Sequence, residues 1–188
     1  MEKENRRAKI TKLLLTDSFL HLLEQKPLPR ITVKDICDYA DLNRSTYYRY
    51  FTDPYDQMTK LEEEIIEEMV SRIDTRVPKE KQADSTARLS LAVKQILDYI
   101  HSKKDMFRIL LSNHGDYNLQ KDILTVLAEK LFSGSIQSPA NKSLLKEYIF
   151  ISTGSFGMIY YWLMTDTQAD TGELTEQITQ YCLKILQE

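Results

Sequence analysis

The stretch I-T-V-K-D-I-C-D-Y-A-D-L-N-R-S-T-Y-Y-R-Y-F, residues 31–51, carries two short helical patterns joined by a tight turn. Thr32 precedes V-K-D-I-C-D-Y-A, and Asp35 follows it by three residues. That spacing predicts a capping box, in which each side chain satisfies the other's free backbone N–H. Val33, Ile36, Cys37 and Ala40 then share one apolar face. Asp41-Leu42 makes the turn, and Asn43 is an N-cap for a second helix through Phe51. At about 100° per residue, Tyr47 and Phe51 fall on one side of it. Ser45 and Arg49 fall opposite, with Thr46 and Tyr48 flanking and Asn43 and Arg44 at the tip. Tyr47 and Phe51 are therefore expected to pack inward with Ile36, Ala40 and Leu42.

Two short helices behind a longer one are the parts of a helix-turn-helix. The outward residues of the second helix suit a major groove. Arg44 or Arg49 can take guanine bidentately, and Ser45 and Thr46 are small enough for close approach. Tyr48 and Tyr50 are expected to flank the groove and reach phosphates through their hydroxyls, with the Tyr48 ring also near a thymine methyl. Asn43 stands at a helix N-terminus, which favours a phosphate. Thr32 and Lys34 are placed to grip the backbone. Lys3, Arg6, Arg7 and Lys9 form a candidate basic arm.

These 21 residues resemble the DNA-binding domain of the tetracycline-repressor (TetR) family of bacterial transcriptional regulators. The resemblance covers about residues 8–58, with Thr32, Ile36, Ala40, Thr46, Tyr48 and Phe51 at pattern positions. It implies a homodimer, a three-helix DNA-binding head and a helical C-terminal domain. It also implies operator contact at Thr32, Ser45, Thr46, Tyr48 and Tyr50. Two positions depart from the family pattern. Asp41 stands where glycine is usual, and Pro54 stands where a phosphate-binding lysine is common.

Outward from this stretch the chain reads as helix throughout. It has 188 residues, 42% hydrophobic and 28% charged, with only five glycines and five prolines. No segment alternates as a strand does. The first helix is expected over 3–24, its apolar face made by Ile10, Leu13, Leu14, Leu20 and Leu23; K-P-L-P-R stops it. Asp53-Pro54 opens a helix running to about 76, and its acidic run Glu62, Glu63, Glu64, Glu67 and Glu68 reads as a solvated face. Residues 77–85 form a polar linker. Further helices are expected at 86–101, 103–112 with Ser102 as its cap, 118–132, 139–165 opened by Ser138-Pro139, and 173–187. The domains expected are 1–52, the DNA-binding head, and 53–188, the connector, regulatory and dimerisation body.

In the body, residues 148–163 are apolar nearly all round, which calls for burial on most sides. This segment is short for a membrane span and is interrupted by Gly154 and Gly157, so no membrane association is expected. A dimer interface is expected at Gly154, Gly157, Tyr161, Ile178, Tyr181 and Ile185, as part of a four-helix arrangement between two copies. The resemblance implies that many members bind a small effector in the body. The candidate lining here is Tyr99, Phe107, Leu111, His114, Tyr117, Tyr148, Ser152 and Phe156, which suits an apolar or aromatic ligand.

Residues 1–52 hold ten Lys/Arg against seven Asp/Glu, a balance of +3 in a chain of net charge −3, so the rest carries −6. A mildly basic head on an acidic body fits one-ended contact with a polyanion. Cys37 and Cys182 lie far apart, without metal or redox spacing, and two free thiols fit a reducing cytosol. The charged start M-E-K-E-N-R-R has no apolar run behind it, so no secretory leader is expected and the location expected is cytoplasmic. The three histidines lie on separate segments. There is no phosphate loop, no nucleophile elbow and no metal-ligand spacing, so neither an enzyme nor a cofactor or metal is expected. The expectation is a regulator, a repressor that binds a palindromic double-stranded operator as a dimer and is released by a small apolar effector. The alternative is a helical protein-interaction module of the same fold with weak or lost DNA binding.

Overall fold

The computed structural model describes residues 2–73, 85–112, 142–165 and 170–186, with Leu119, Lys121 and Ile123 besides. Among the described residues every regular element is helical. α1 spans Glu2–Gln25, a 3-10 turn Leu28–Arg30, α2 Val33–Ala40, α3 Arg44–Tyr47, α4 Pro54–Arg72, α5 Ser85–Ser102 and α6 Lys104–Ser112; α7 spans Lys142–Thr165 and α8 Thr171–Leu186. Contacts divide the chain into two compact units: 1–65 with 109–116, and 66–108 with 117–188. Of the linker expected at 77–85, Ser85 opens α5 and the rest lies outside the described residues, as do most of the helix expected at 118–132 and the Ser138-Pro139 helix start. None of the described helices is long and apolar enough to cross a membrane.

The first unit is built on α1. Leu15, Phe19, Leu22 and Leu23 are its buried face, a stripe at helical spacing. α1 packs on α2 and α2 on α3; Ile31, Ile36, Cys37, Tyr47 and Phe51 are buried with them, and Met58, Leu61 and Ile65 are buried on α4. Ile10, Leu13 and Leu14, expected on that face, are instead exposed. The run I-T-K-L-L-L-T-D-S-F-L-H-L-L is apolar on too many sides for spacing alone to choose one. The bulky Phe19 and its neighbours one turn away take the inward side. The Gln57 amide is buried and donates to the Leu15 carbonyl at 3.0 Å, tying α4 to α1. Glu62 departs from the solvated face expected for the acidic run and is buried. It follows Met58 by four residues and precedes Ile65 by three, so it lies on the inward stripe of α4.

In the second unit α8 packs on α5 and on α7. Its inward stripe is Thr171, Leu174, Thr175, Ile178, Thr179 and Cys182. The Thr171 hydroxyl donates to Asp98 at 2.9 Å, and Thr175 and Thr179 each donate to the carbonyl four residues back. Each buried hydroxyl is thereby satisfied, as burial requires. Glu68 also departs from a solvated role. Arg72 donates to it at 2.7 Å, the Tyr99 hydroxyl at 3.2 Å, and Lys103 closes the cluster. These donors, Lys103 foremost, pull its carboxyl down to about 2.

One further expectation does not hold. Ser102 is the last residue of α5, and its hydroxyl donates to the Tyr99 carbonyl at 2.7 Å. Lys103, not Ser102, accepts the first backbone bond of α6, from Phe107 at 3.1 Å. The segment 148–163 is not covered on most sides within the chain. Ile151, Trp162 and Leu163 are buried, but Phe150 and Tyr161 are each 70% exposed, and Ile149, Gly154, Gly157 and Tyr160 are open beside them.

Candidate nucleic-acid interface

The site begins at the Thr32 cap. The Asp35 N–H donates to the Thr32 hydroxyl at 3.2 Å; the Thr32 N–H and hydroxyl both donate to the Asp35 carboxylate, at 2.9 and 2.8 Å. The capping box is therefore complete, as the spacing predicts. Lys26 adds an ion pair to the same oxygen at 2.7 Å. The Lys26 ammonium first, then the Thr32 donors, pull the Asp35 carboxyl down to about 2. The Thr32 hydroxyl proton is committed to Asp35, so what Thr32 offers outward is the helix N-terminus it organises.

α2 ends at Asp41, whose φ of 52° and ψ of 45° are left-handed; it is the sole non-glycine residue with positive φ among the described residues. The Asp41 and Leu42 N–H groups both donate to the Cys37 carbonyl, which closes the helix. Aspartate tolerates this conformation better than most residues, so the turn forms without the usual glycine.

Beyond the turn, Asn43 occupies the cap position but its side chain makes no capping bond. Regular α-helix covers only Arg44–Tyr47, not the full run to Phe51. The chain then tightens. The Arg49 N–H donates to the Thr46 carbonyl at 3.3 Å and Tyr50 to Tyr47 at 2.9 Å, both three-residue steps, before Phe51 returns to Tyr47 at 3.0 Å. Such tightening is common where a helix ends, and here it begins after one turn. Tyr47 is 0% exposed and Phe51 2%, with ring centroids 5.6 Å apart, so both rings face inward. Tyr48 is 58% exposed. Thr32, Lys34, Asn43, Arg44, Ser45 and Arg49 are also exposed, and Thr46 and Tyr50 are half-buried. Among the described residues, no acid pairs with Lys34, Arg44 or Arg49. On α1, Arg6, Arg7 and Lys9 are exposed; the side chain of Lys3 lies outside the described residues.

The turn after α3 is held from α4 by residues that spacing did not single out for this role. Lys60 donates to the Tyr50 carbonyl at 3.0 Å and to Asp56 at 2.9 Å, and Asp56 accepts from the Thr52 N–H at 2.8 Å. The expected first turn of α4 forms as well: the Asp53 carboxylate accepts from the N–H groups of Tyr55 and Asp56. Asp56 and Lys60 are four apart on one helix, which was the available signal.

The residues expected around an effector are divided. Tyr99 and Phe107 are buried edge to face at 5.8 Å, and the Arg72 and Lys103 cations lie 5.0 and 5.2 Å from the Tyr99 ring. Leu111 is buried but is counted with the first unit, whereas Tyr99 and Phe107 belong to the second. Tyr148, Ser152 and Phe156 are half-buried on α7, with Ser152 donating to the Ile149 carbonyl and Phe156 stacked on Tyr160. His114 and Tyr117 lie outside the described residues. A groove of about 710 Å³ opens instead along α5 and α8, lined by Thr86, Ser90, Lys94, Thr175, Glu176 and Thr179 among others. None of the expected residues lines it. Of the residues expected at a dimer interface, Gly154, Gly157, Tyr161 and Tyr181 are exposed and Ile185 is half-buried. Ile178 is 2% exposed, because it lies on the α8 stripe that packs on its own chain, and so it is withdrawn from any outer face.

A family model described as the C-terminal region of transcriptional regulators, of the TetR class, matches residues 87–184. The chain belongs to the TetR family of transcriptional regulators. Similar solved structures agree with that fold. The fatty acid degradation regulator FadR from Bacillus halodurans is 17% identical, with a TM-score of 0.64, covering 92% of this chain and 94% of that one. A TetR transcriptional regulator from Streptococcus agalactiae 2603V is 16% identical, with a TM-score of 0.62, covering 96% and 98%. A curated relative, an uncharacterized HTH-type transcriptional regulator, YxbF of Bacillus subtilis strain 168, is 21% identical over 167 residues. That match takes in 86% of this chain, and the chain spans 42% of that relative's length. TetR-family regulators bind DNA, and in this chain α2, the turn at Asp41 and α3 form a helix-turn-helix.

Proposed function

We propose that this TetR-family regulator is a repressor that binds a palindromic DNA operator as a homodimer and is released by a small apolar effector in its body. One observation supports the DNA contact above the others. Within the nine residues 43–51, α3 and the turn after it bury Tyr47 and Phe51 and expose Asn43, Arg44, Ser45, Tyr48 and Arg49. A short helix and its following turn, anchored by two rings and open on the polar face, are what a major groove receives. Arg44 and Arg49 take base edges, with Ser45 and Thr46 allowing close approach. Tyr48 and Tyr50 reach phosphates, and Thr32, Lys34 and Asn43 fix the backbone from the two helix N-termini. The exposed aromatic face of α7, with Tyr181 on α8, is the surface offered to a second copy. A dimer then sets two copies of α3 about 34 Å apart along the duplex.

The test is selection from random duplexes by the purified full chain, followed by gel shift and sedimentation. The expected result is an enriched palindrome bound by two chains, with affinity that falls steeply as salt rises. Arg49→Ala should lose about 1–3 kcal/mol on the selected site with an unchanged circular dichroism spectrum. Wild-type affinity and specificity in that variant would remove Arg49 from the reading face. A bound stoichiometry of one chain per site would remove the dimer.

A further inference from the structure

The reading face of this protein is short, and its second half is not helix. Arg49 and Tyr50 stand on the tightened turn after Tyr47. The carbonyls at such an end have no intrahelical partners and take their geometry from whatever binds them. Here the partner comes from α4. The Lys60 ammonium donates to the Tyr50 carbonyl at 3.0 Å and to Asp56 at 2.9 Å, and lies 5.7 Å from the Phe51 ring centroid. Asp56 in turn accepts the Thr52 N–H at 2.8 Å. One ion pair therefore grips the backbone on both sides of Phe51, at the carbonyl before it and the N–H after it. The Phe51 ring is itself buried, which makes a third fixed point.

We infer that Lys60 and Asp56 are positioning residues for DNA recognition, setting where Arg49 and Tyr50 are presented without touching DNA themselves. The inference rests on the DNA-binding reading above. Lys60 brings a cation to the backbone of the reading segment, whereas Pro54 offers no charge and no N–H. Two of its three donors are spent on Tyr50 and Asp56, and the Asp56 carboxylate offsets its charge. Asp56 is held ionised by the same bond, since Lys60 foremost lowers its pKa below the ordinary carboxylate value. A lysine that bound a phosphate directly would instead spend its ammonium on that phosphate. The two roles differ in one measurable respect. A phosphate contact contributes about 0.9 to the slope of log affinity against log salt, and a positioning residue contributes nothing to it.

The experiment uses the full chain carrying Lys60→Met, Lys60→Arg or Asp56→Asn, with two readouts. The first is amide exchange in the DNA-free protein. Lys60→Met should speed exchange at Phe51 and Thr52 about tenfold, as loss of a charge-assisted bond to that segment implies. The second is affinity for a selected operator and for a random duplex across a salt series. Lys60→Met should lower the operator-to-random ratio about tenfold while leaving the salt slope unchanged. Lys60→Arg, which keeps a donor, should recover most of that ratio. Asp56→Asn, which keeps an oxygen but no charge, should fall between. A slope smaller by about 0.9 in Lys60→Met overturns the inference, because Lys60 is then a phosphate contact. So does a ratio within about twofold of the parent, or exchange at Phe51 and Thr52 unaltered by the substitution. If Lys60→Met does not fold, Lys60→Arg and Asp56→Asn carry both readouts. A parent chain that binds no duplex at all overturns the proposed function, and the exchange readout still decides whether the clamp exists.

Discussion

Replacing Tyr47 by phenylalanine should make this protein more stable. The Tyr47 side chain is fully buried, and among the described residues nothing hydrogen-bonds its hydroxyl. Burial first, then the nearby Asp53 charge, pushes that hydroxyl well above its ordinary pKa, so it stays neutral and simply desolvated. A buried hydroxyl left without a partner costs about 1–3 kcal/mol. Deleting it leaves a gap of roughly 15 Å³, which at about 24 cal/mol per Å³ costs about 0.4 kcal/mol. The ring and its packing on Phe51 and Tyr48 are kept. The net gain should be about 1 kcal/mol, or a rise of about 2–4 °C in melting temperature for a chain of this length. Urea titration followed by far-ultraviolet circular dichroism measures it. Tyr47→Ala serves as the opposite control and should lose about 3–5 kcal/mol. A loss of about 1 kcal/mol in Tyr47→Phe would refute the reasoning, because the hydroxyl would then be making a bond. DNA affinity should not change in Tyr47→Phe, since the ring faces away from the reading face.

Two further predictions concern the turn and the cap. Asp41→Gly should stabilise by about 0.5 kcal/mol and Asp41→Ala should destabilise by about 1 kcal/mol, because only glycine relieves the left-handed backbone; urea midpoints that place alanine above glycine would contradict the strain. Asp35→Asn should cost about 1 kcal/mol at neutral pH by weakening the capping box and the Lys26 pair. The Asp35 and Glu68 carboxyls are both held at about 2, below their unfolded values, so their stabilisation is complete above those unfolded values and is lost as pH falls towards 2. Urea midpoints from about pH 6 down to about pH 2 should therefore decline, and the Asp35→Asn deficit should shrink along that decline, rather than persist.

What the sequence made legible was local. Thr32 and Asp35 stand three apart, and a capping box needs nothing beyond that interval. Asp41 sits between two helical patterns where only a reversal can join them. Tyr47 and Phe51 are one turn apart, so they share a side wherever that side points. The same locality explains what was missed. The inward side of α1 depends on which apolar residues find Ile36 and Met58, and the run from Ile10 to Leu23 offers too many choices. Glu62 looked solvated because its neighbours are acidic, yet its angular position is that of Ile65. Lys60 reaches a carbonyl ten residues back through a fold that spacing cannot supply. That tertiary hold lies just past the early end of α3.

The Gln57 bond to the Leu15 carbonyl sets a limit on movement within the first unit. Its 3.0 Å length tolerates little sliding. A shift of α4 along α1 by a single residue, about 1.5 Å, would strand a buried amide far from water. The glutamine thus works as a detent: it adds little holding force near its seat and resists the first step away from it. A displacement of the first half of α4 would therefore have to carry α1 with it.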